Sequence, residues 1–180
     1  QTDVRKDEDV KSMVARCVEV YGGLNYAYNN AGISGPFSPL SEFDPDAWED
    51  VIAVNLTGVF LSMRYQIPEL IRCGGGAIVN MSSIAGIKGI KEVGCAYNAS
   101  KHGVVGLSKN AALQYADKGV RVNVVCPSLI RTPLTENTFM RDEETARAVI
   151  ALHPLGRAGE PGEVTSLVLW LCSNESSFIT

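Results

Sequence analysis

Residues 77–83 read AIVNMSS, a short apolar run that ends in two serines. The run predicts a strand over 77–81, and its near-continuous apolar character is typical of a strand buried on both faces of a parallel sheet. Two similar runs predict further strands, LNYAY at 24–28 and VRVNVV at 120–125. Three buried strands of this kind indicate a parallel sheet with helices on both faces.

Helical patterns alternate with these strands. We predict helices over 7–21, from Pro45 to about Cys73 with a kink at Pro68, and from about Cys95 to Asp117. A weaker helical pattern follows residues 128–142 and ends at about Leu152, and a last helix starts near Pro161. Residues 128–142 show no regular pattern and are predicted to be irregular. Alternating strands and helices require right-handed crossovers. The fold class is therefore α/β, a Rossmann-like doubly wound parallel sheet in one domain over 1–180.

A polar or glycine-rich loop follows each predicted strand. These loops are Asn29–Gly32, Ser82–Ser83 and Cys126–Thr132. Ligands of open α/β sheets bind beyond the carboxyl ends of the strands, and in a parallel sheet these ends share one edge. We therefore expect the three loops to build the functional site.

Composition and charge exclude several classes of partner. The chain has 180 residues, of which 46% are hydrophobic and 20% charged, as in ordinary soluble globular proteins. A net charge of −4 and a pI of about 5.2 argue against nucleic acid or an anionic membrane as a partner. No apolar run approaches the roughly 20 residues that span a bilayer, and the polar start QTDVRKDEDVKSM does not resemble a signal peptide.

Five cysteines are scattered along the chain without a Cys-x-x-Cys pair, and there are only two histidines. This pattern predicts reduced, mostly buried thiols in a cytoplasmic protein, with neither a disulfide framework nor a metal site. The cysteines are Cys17, Cys73, Cys95, Cys126 and Cys172.

Within the predicted helix that starts at Cys95, Tyr97 precedes Lys101 by four residues. Side chains at this spacing share one helix face, with Cβ atoms about 5–6 Å apart. A free phenol has a pKa of about 10, and a neighbouring ammonium favours its ionised form. We therefore predict that Tyr97 transfers a proton and that Lys101 lowers the pKa of its phenol. Taken alone, the pair also fits an amphipathic tyrosine beside a solvated lysine.

Five motifs in order along the chain resemble the short-chain dehydrogenase/reductase family: NNAG at 29–32, VNLTGVF at 54–60, IVNMSS at 78–83, YNASK at 97–101 and CPSLIRT at 126–132. The resemblance extends over essentially the whole chain. The stretches YGGLNYAYNNAGI and VIAVNLTGVFLSMRYQIPELI resemble the bacterial subset often described as glucose 1-dehydrogenase-like.

The resemblance implies hydride transfer between NAD or NADP and a small alcohol or carbonyl substrate. Tyr97 matches the family's general acid/base, and Lys101 the residue that tunes it and holds the nicotinamide ribose. Ser83 matches the hydroxyl that positions the substrate oxygen, and Asn55 the asparagine that completes a proton relay through water. The substrate is expected over Ser83 and Tyr97, with a pocket shaped by Ile84, Glu92, Val93 and residues 133–155.

The resemblance also implies a set of cofactor contacts. These comprise Asp3 and Val4 at the adenine, Asn30, Ala31 and Gly32 beside the adenosine ribose, Tyr97 and Lys101, and Pro127, Ile130 and Thr132 near the nicotinamide carboxamide. The preference between NAD and NADP stays open. Helices 45–73 and 95–117 carry apolar residues on more than one face, and the matching pair in the family forms dimer and tetramer interfaces. We therefore expect a homo-oligomer.

The chain departs from the family in two respects. Neither G-x-x-x-G-x-G nor G-x-G-x-x-G occurs, so the first two strands and the last strand of the family's sheet are expected to be missing. We expect the chain to be part of a longer protein rather than a truncated one. Ser128 also stands where the family usually has glycine, which either displaces the loop or offers the substrate a hydroxyl.

Two other functions compete with hydride transfer. Serine hydrolysis through Ser83 would need a G-x-S-x-G turn, which is absent, and His102 is expected to point away from the Tyr97 face. A non-catalytic interaction module is the stronger alternative, favoured by the missing cofactor half. The four intact catalytic residue types favour the enzyme.

Overall fold

The computed structural model describes all 180 residues and contains a parallel sheet of three strands in the order β1–β2–β3. The strands are β1 (Tyr26–Asn29), β2 (Gly76–Met81) and β3 (Val120–Val125). In the register of the sheet, Ile78 of β2 lies between Ala27 and Val122. Because both pairs are parallel, the carboxyl ends of all three strands lie at one edge.

Seven α-helices connect and flank the strands. They are α1 (Asp7–Tyr21), α2 (Pro45–Ile52), α3 (Gly58–Arg72), α4 (Cys95–Tyr115), α5 (Pro133–Glu136), α6 (Glu143–Ala151) and α7 (Pro161–Cys172). A π-helical turn, Ala53–Thr57, joins α2 to α3. Short 3-10 turns occur at Leu40–Glu42, Ile84–Gly86, Ala116–Lys118 and Asn174–Ser176.

Strand β2 is buried on both faces, since the adjacent residues Ile78 and Val79 are both fully inaccessible. Ile78 belongs to a core formed with helices α3 and α4, and Val79 to a smaller core formed with α7. The larger core contains Ala27, Val59, Met63, Ile67, Leu70, Ile78, Val104, Ala111, Ala112, Val120 and Val122. Helices on both faces of a parallel sheet confirm the predicted Rossmann-like doubly wound α/β class.

Helix α1, strand β3 and the start of α7 have the predicted bounds. Strand β1 starts at Tyr26 because Leu24 packs against the larger core instead of joining the ladder. Helix α4 ends at Tyr115 and passes into a 3-10 turn, so the predicted end at Asp117 was slightly late. Residues 128–142, predicted to be irregular, contain the one-turn helix α5.

The long helix predicted from Pro45 to Cys73 is interrupted, but at a different point from the predicted kink. The hydrogen-bond pattern changes at Ala53–Thr57, and α3 then continues through Pro68. Turns of the π type are rare inside helices, and many of those that occur lie at functional sites. The interruption coincides with Asn55, the residue that the sequence placed in the site.

None of the helices has both the length and the apolar character needed to cross a membrane. The five cysteines are free thiols, all of them half-buried. No cluster of three or more histidine, cysteine, aspartate or glutamate side chains could hold a metal ion.

Replacing Leu70, which is fully buried in the larger core, tests the assignment of that core. We expect Leu70→Ala to lower the free energy of unfolding by about 2–5 kcal/mol, because it removes apolar contacts and leaves a cavity. Urea unfolding of both proteins measures the loss. Leu40→Ala, at a leucine that is 76% exposed, is the matched control and should change stability by less than about 0.5 kcal/mol.

Candidate active site

Lys101 lies on the inward face of α4, and its side chain reaches the edge where the strands end. The residue is only 4% exposed, and its Nζ donates a hydrogen bond to the carbonyl oxygen of Met81, the last residue of β2, at 3.1 Å. The Ser82 hydroxyl donates to the main-chain carbonyl of Lys101 at 2.9 Å. These two bonds run in opposite directions between α4 and the end of β2, and they fix the lysine beside the site.

Tyr97 and Ser83 meet at the same edge. Ser83 follows β2, and its hydroxyl accepts a hydrogen bond from the backbone N–H of Ala85 at 3.1 Å. Burial raises the pKa of the Tyr97 phenol, and the neighbouring Ser83 hydroxyl lowers it by less, so the net shift is upward. Helix α4, which carries Tyr97, therefore lies against the segment that carries Ser83.

Lys101 is not among the causes that shift the pKa of Tyr97, so its predicted tuning of the phenol stays a prediction. Lys101 Nζ lies 5.5 Å from the centroid of the Tyr97 ring, over its face, and its hydrogen bond goes to the end of β2. Burial therefore dominates the pKa of Tyr97, which lies above its ordinary value, and the opposing influence comes from Ser83. Spacing on a helix brings the two side chains together but does not decide which atoms meet.

Burial also acts on Lys101 itself. It lowers the pKa of the ammonium from 10.5 to about 8, against a smaller raising effect of the Cys126 thiol. Desolvation penalises the charged form of an amine, and this lowers the pKa of the lysine. Lys101 therefore loses its proton at a lower pH than an exposed lysine does.

Asn55, in the π-helical turn, is fully buried and has partners for both ends of its amide. Its Oδ1 accepts from the N–H of Ile33 at 2.8 Å, and its Nδ2 donates to the carbonyl of Ile33 at 2.9 Å and to the Ser100 hydroxyl at 3.1 Å. The amide therefore joins the loop after β1 to helix α4. This placement brings Asn55 to the same site as Tyr97 and Lys101.

Two supporting residues were missed by the sequence analysis, although both lie inside the YNASK motif. Ser100 is fully buried, donates to the carbonyl of Tyr97 at 2.9 Å and accepts from Asn55. Asn98 accepts from the N–H of Ile90 at 3.0 Å and donates to its carbonyl at 3.0 Å, which fixes the loop before α4. Polar residues among small ones in a predicted helix were the available signal.

Three of the predicted adenosine contacts line one groove of about 180 Å³ at the end of β1. Val4, Asn30 and Ala31 form part of its mainly apolar wall, and the Tyr28 hydroxyl donates to Asn30 at 2.9 Å. Gly32 lies further along the loop, where an added methyl would come within 3.3 Å of Asn55 Oδ1 and 3.5 Å of Lys101 Nζ. The mainly apolar wall of the groove suits a flat ring such as adenine, and the lack of a side chain at Gly32 lets the loop pack closely on Asn55 and Lys101.

The other predicted contacts lie elsewhere or have partners of their own. Asp3 is outside the groove lining, and its ion pair with Arg5 at 2.9 Å lowers the pKa of its carboxyl to about 2. Pro127 accepts from the N–H of Ile84 at 2.8 Å, so the loop after β3 is tied to the residue that follows Ser83. Further along this loop, Ile130 pairs with Gly159, and Thr132 caps α5 with its hydroxyl.

Ser128 is exposed and stands in the loop after β3. No residue other than glycine has a positive φ, so the serine adopts ordinary backbone geometry. Its hydroxyl lies 2.7 Å from His153 Nε2, and the ring's Nδ1 lies 2.9 Å from the carbonyl of Val149. This contact with a histidine of the chain itself was not part of either alternative for Ser128, and both alternatives stay predictions.

Comparisons with known proteins agree with this geometry. A family model described as enoyl-(acyl carrier protein) reductase matches residues 1–180. The chain belongs to the short-chain dehydrogenase/reductase family. It is 46% identical over 180 residues to a cyclohexanol dehydrogenase of Acinetobacter sp. (strain SE19), a match that covers 100% of this chain and 69% of that relative.

Solved structures give the same result for the fold. A crystal structure of levodione reductase matches with a TM-score of 0.96 and 34% identity, over 99% of this chain and 71% of that one. An aldohexose dehydrogenase of Thermoplasma acidophilum matches with a TM-score of 0.88 and 36% identity, over 99% and 72%. The second match agrees with the expected similarity to glucose dehydrogenases.

Family membership bears on the competing functions. Short-chain dehydrogenases/reductases are oxidoreductases that use NAD or NADP, and among similar structures ElxO was solved with NADP and a xylitol dehydrogenase with NAD⁺. The oxidoreductase is therefore supported over the non-catalytic interaction module. Serine hydrolysis also lacks a histidine partner, because the hydroxyl of Ser83 meets Tyr97 and the ring of His102 contacts the carbonyl of Asn98.

The buried Lys101 ammonium predicts a pH-dependent stability. Its pKa is about 8 in the folded protein and near 10.5 unfolded, so between these values the unfolded chain binds more protons and stability rises with pH. The parent should therefore gain up to about 3 kcal/mol relative to Lys101→Met across this window. Urea unfolding of both proteins from neutral to alkaline pH measures the difference.

Lys109→Met, at an exposed lysine of the same helix, is the matched control for this comparison. Parallel stability curves for the parent and Lys101→Met would show that the ammonium is not desolvated in the folded protein.

Proposed function

We propose that this chain carries the catalytic residues of an NAD- or NADP-dependent dehydrogenase that interconverts a secondary alcohol and its ketone. The observation that carries this proposal is the proximity of the Ser83 hydroxyl to the Tyr97 phenol, with the buried Lys101 beside them at the carboxyl ends of the strands. Residues 1–180 are proposed to form a single domain, because the two faces of β2 supply both of its cores.

In this proposal Tyr97 transfers the proton. Burial raises the pKa of its phenol, so at neutral pH the group is protonated and ready to donate to a carbonyl oxygen during reduction. The Ser83 hydroxyl, which already contacts the phenol, is placed to bind the same oxygen and stabilise its developing charge. When bound, the nicotinamide cofactor gives or accepts the hydride.

Lys101 and Asn55 are proposed to return the proton to Tyr97. A pKa of about 8 allows Lys101 to occupy both charge states near neutral pH, as a relay requires. Asn55 Oδ1 accepts one hydrogen bond from Ile33, and an amide oxygen has a second lone pair that can accept from water. Gly32 lies beside both groups, where a side chain would crowd Asn55 Oδ1 and Lys101 Nζ.

Cofactor recognition is proposed to extend from the groove to the loop after β3. Val4, Asn30 and Ala31 would hold the adenosine, and Asp3 would lie at the rim. Pro127, Ile130 and Thr132, in the loop after β3, would contact the nicotinamide carboxamide, because Pro127 is hydrogen-bonded to the segment that carries Ser83. The residues that would read the ribose 2′ position are not among these.

A cyclic secondary alcohol is the proposed substrate class. This follows from the 46% identity to a cyclohexanol dehydrogenase. A sugar is the second candidate, because the aldohexose dehydrogenase has a similar structure. Rates with cyclohexanol, an open-chain secondary alcohol and an aldohexose separate the two classes.

Tyr97→Phe tests the proposed chemistry. Loss of the only proposed proton donor should lower kcat for alcohol oxidation by at least about 100-fold, since general acid–base catalysis contributes about 10²–10⁴. Appearance of the reduced cofactor in the presence of cyclohexanol measures the rate. Tyr115→Phe, at the last residue of the same helix, is the matched control and should keep the parent rate. Equal rates for the parent and Tyr97→Phe would refute the assignment.

We further propose a cytoplasmic homo-oligomer, a dimer or a tetramer. Large apolar side chains are exposed on three neighbouring helices, namely Trp48 of α2, Phe60 of α3 and Leu113 of α4, the last at 85% exposure. Five free thiols agree with a reducing compartment. Sedimentation velocity should give a dimer or larger, and cell fractionation tests the location. A monomer at micromolar concentration would contradict the proposed assembly.

A further inference from the structure

His153 bridges two parts of the chain that are distant in sequence. Its Nδ1 lies 2.9 Å from the carbonyl of Val149 in α6, which can only accept, so this nitrogen carries the proton. Nε2 is then the acceptor, at 2.7 Å from the Ser128 hydroxyl and 3.4 Å from the N–H of Leu129. One imidazole ring thus joins the end of α6 to the loop after β3.

This bridge is the only hydrogen-bonded connection between residues 141–156 and the rest of the chain. Helix α6, which lies in this segment, has no buried residue. Its ion pairs are internal, such as that between Arg147 and Glu143 at 2.9 Å. The position of α6 therefore depends strongly on the histidine.

The loop that receives His153 is itself firmly held. Pro127, immediately before Ser128, accepts from the N–H of Ile84 next to Ser83. Leu129, immediately after it, is 6% exposed and accepts from the N–H of Gly159 at 2.9 Å. Ser128 is thus a fixed point on the active-site edge, and α6 is attached to it.

We propose that the Ser128–His153 hydrogen bond positions residues 141–156 beside the active site, and that His153 is a positioning residue for substrate binding. The inference rests on the proposed function and adds to it a determinant of substrate affinity. The groups assigned to the chemistry lie outside residues 141–156, in the loop after β2, on α4 and in the π-helical turn. Loosening α6 should therefore weaken substrate binding much more than it slows turnover.

Two pairs of variants test the bridge. His153→Phe and Ser128→Ala each remove it, while His153→Gln and Ser128→Thr keep an acceptor and a hydroxyl at these positions. We expect His153→Phe and Ser128→Ala each to raise KM for the alcohol about three- to tenfold, which is the usual effect of losing one hydrogen bond, and to leave kcat within about twofold of the parent value. His153→Gln and Ser128→Thr should keep KM close to the parent value.

Two further measurements separate positioning from general damage. The double variant His153→Phe/Ser128→Ala should be no worse than either single one, because both remove the same bond. Hydrogen exchange of the α6 amides should be faster in the removing variants and unchanged in the other helices. Additive effects on KM, or unchanged exchange in α6, would overturn the inference. Exchange needs no turnover, so it decides this point even where the parent oxidises none of the alcohols offered.

Discussion

The interior position of the Lys101 ammonium is the constraint around which the site is built. A cation that is 4% exposed is costly unless a hydrogen-bond partner compensates it, and the carbonyl of Met81 at the end of β2 provides one. Helix α4 must therefore pass the end of β2 with Lys101 within hydrogen-bonding distance of Met81, and the Ser82 hydroxyl holds the helix in this position. Tyr97, one turn earlier on the helix, then meets Ser83 because both are placed by this crossing.

Buried polar side chains have the same role between the sheet and helices α3 and α4. Asn29 exchanges two hydrogen bonds with Gln66 of α3 and donates a third to Asn80 of β2, which in turn donates to Ser108 of α4. No buried side-chain nitrogen or oxygen is left without a partner. Such bonds are directional, so they define how the helices sit on the strands more narrowly than apolar packing alone.

The proton-transfer properties of the site follow from burial more than from charge pairing. Desolvation raises the pKa of Tyr97 and lowers that of Lys101, so it acts on both groups against their ionised forms. A protonated phenol beside an amine that titrates near neutral pH suits donation to a carbonyl followed by reprotonation. The helical spacing of the two residues alone indicated the opposite shift for the phenol.

The sequence by itself determined the fold class and the residues proposed for catalysis. Alternation of apolar strands with helical patterns specified the parallel sheet, and its polar loops indicated which edge carries the site. Local spacing cannot reveal which atoms meet across distant segments. Only the tertiary structure decided that Lys101 bonds Met81, that a π-helical turn places Asn55 against Ile33, and that Ser128 contacts His153. Each of these contacts joins residues at least 20 positions apart, and each depends on how the elements pack.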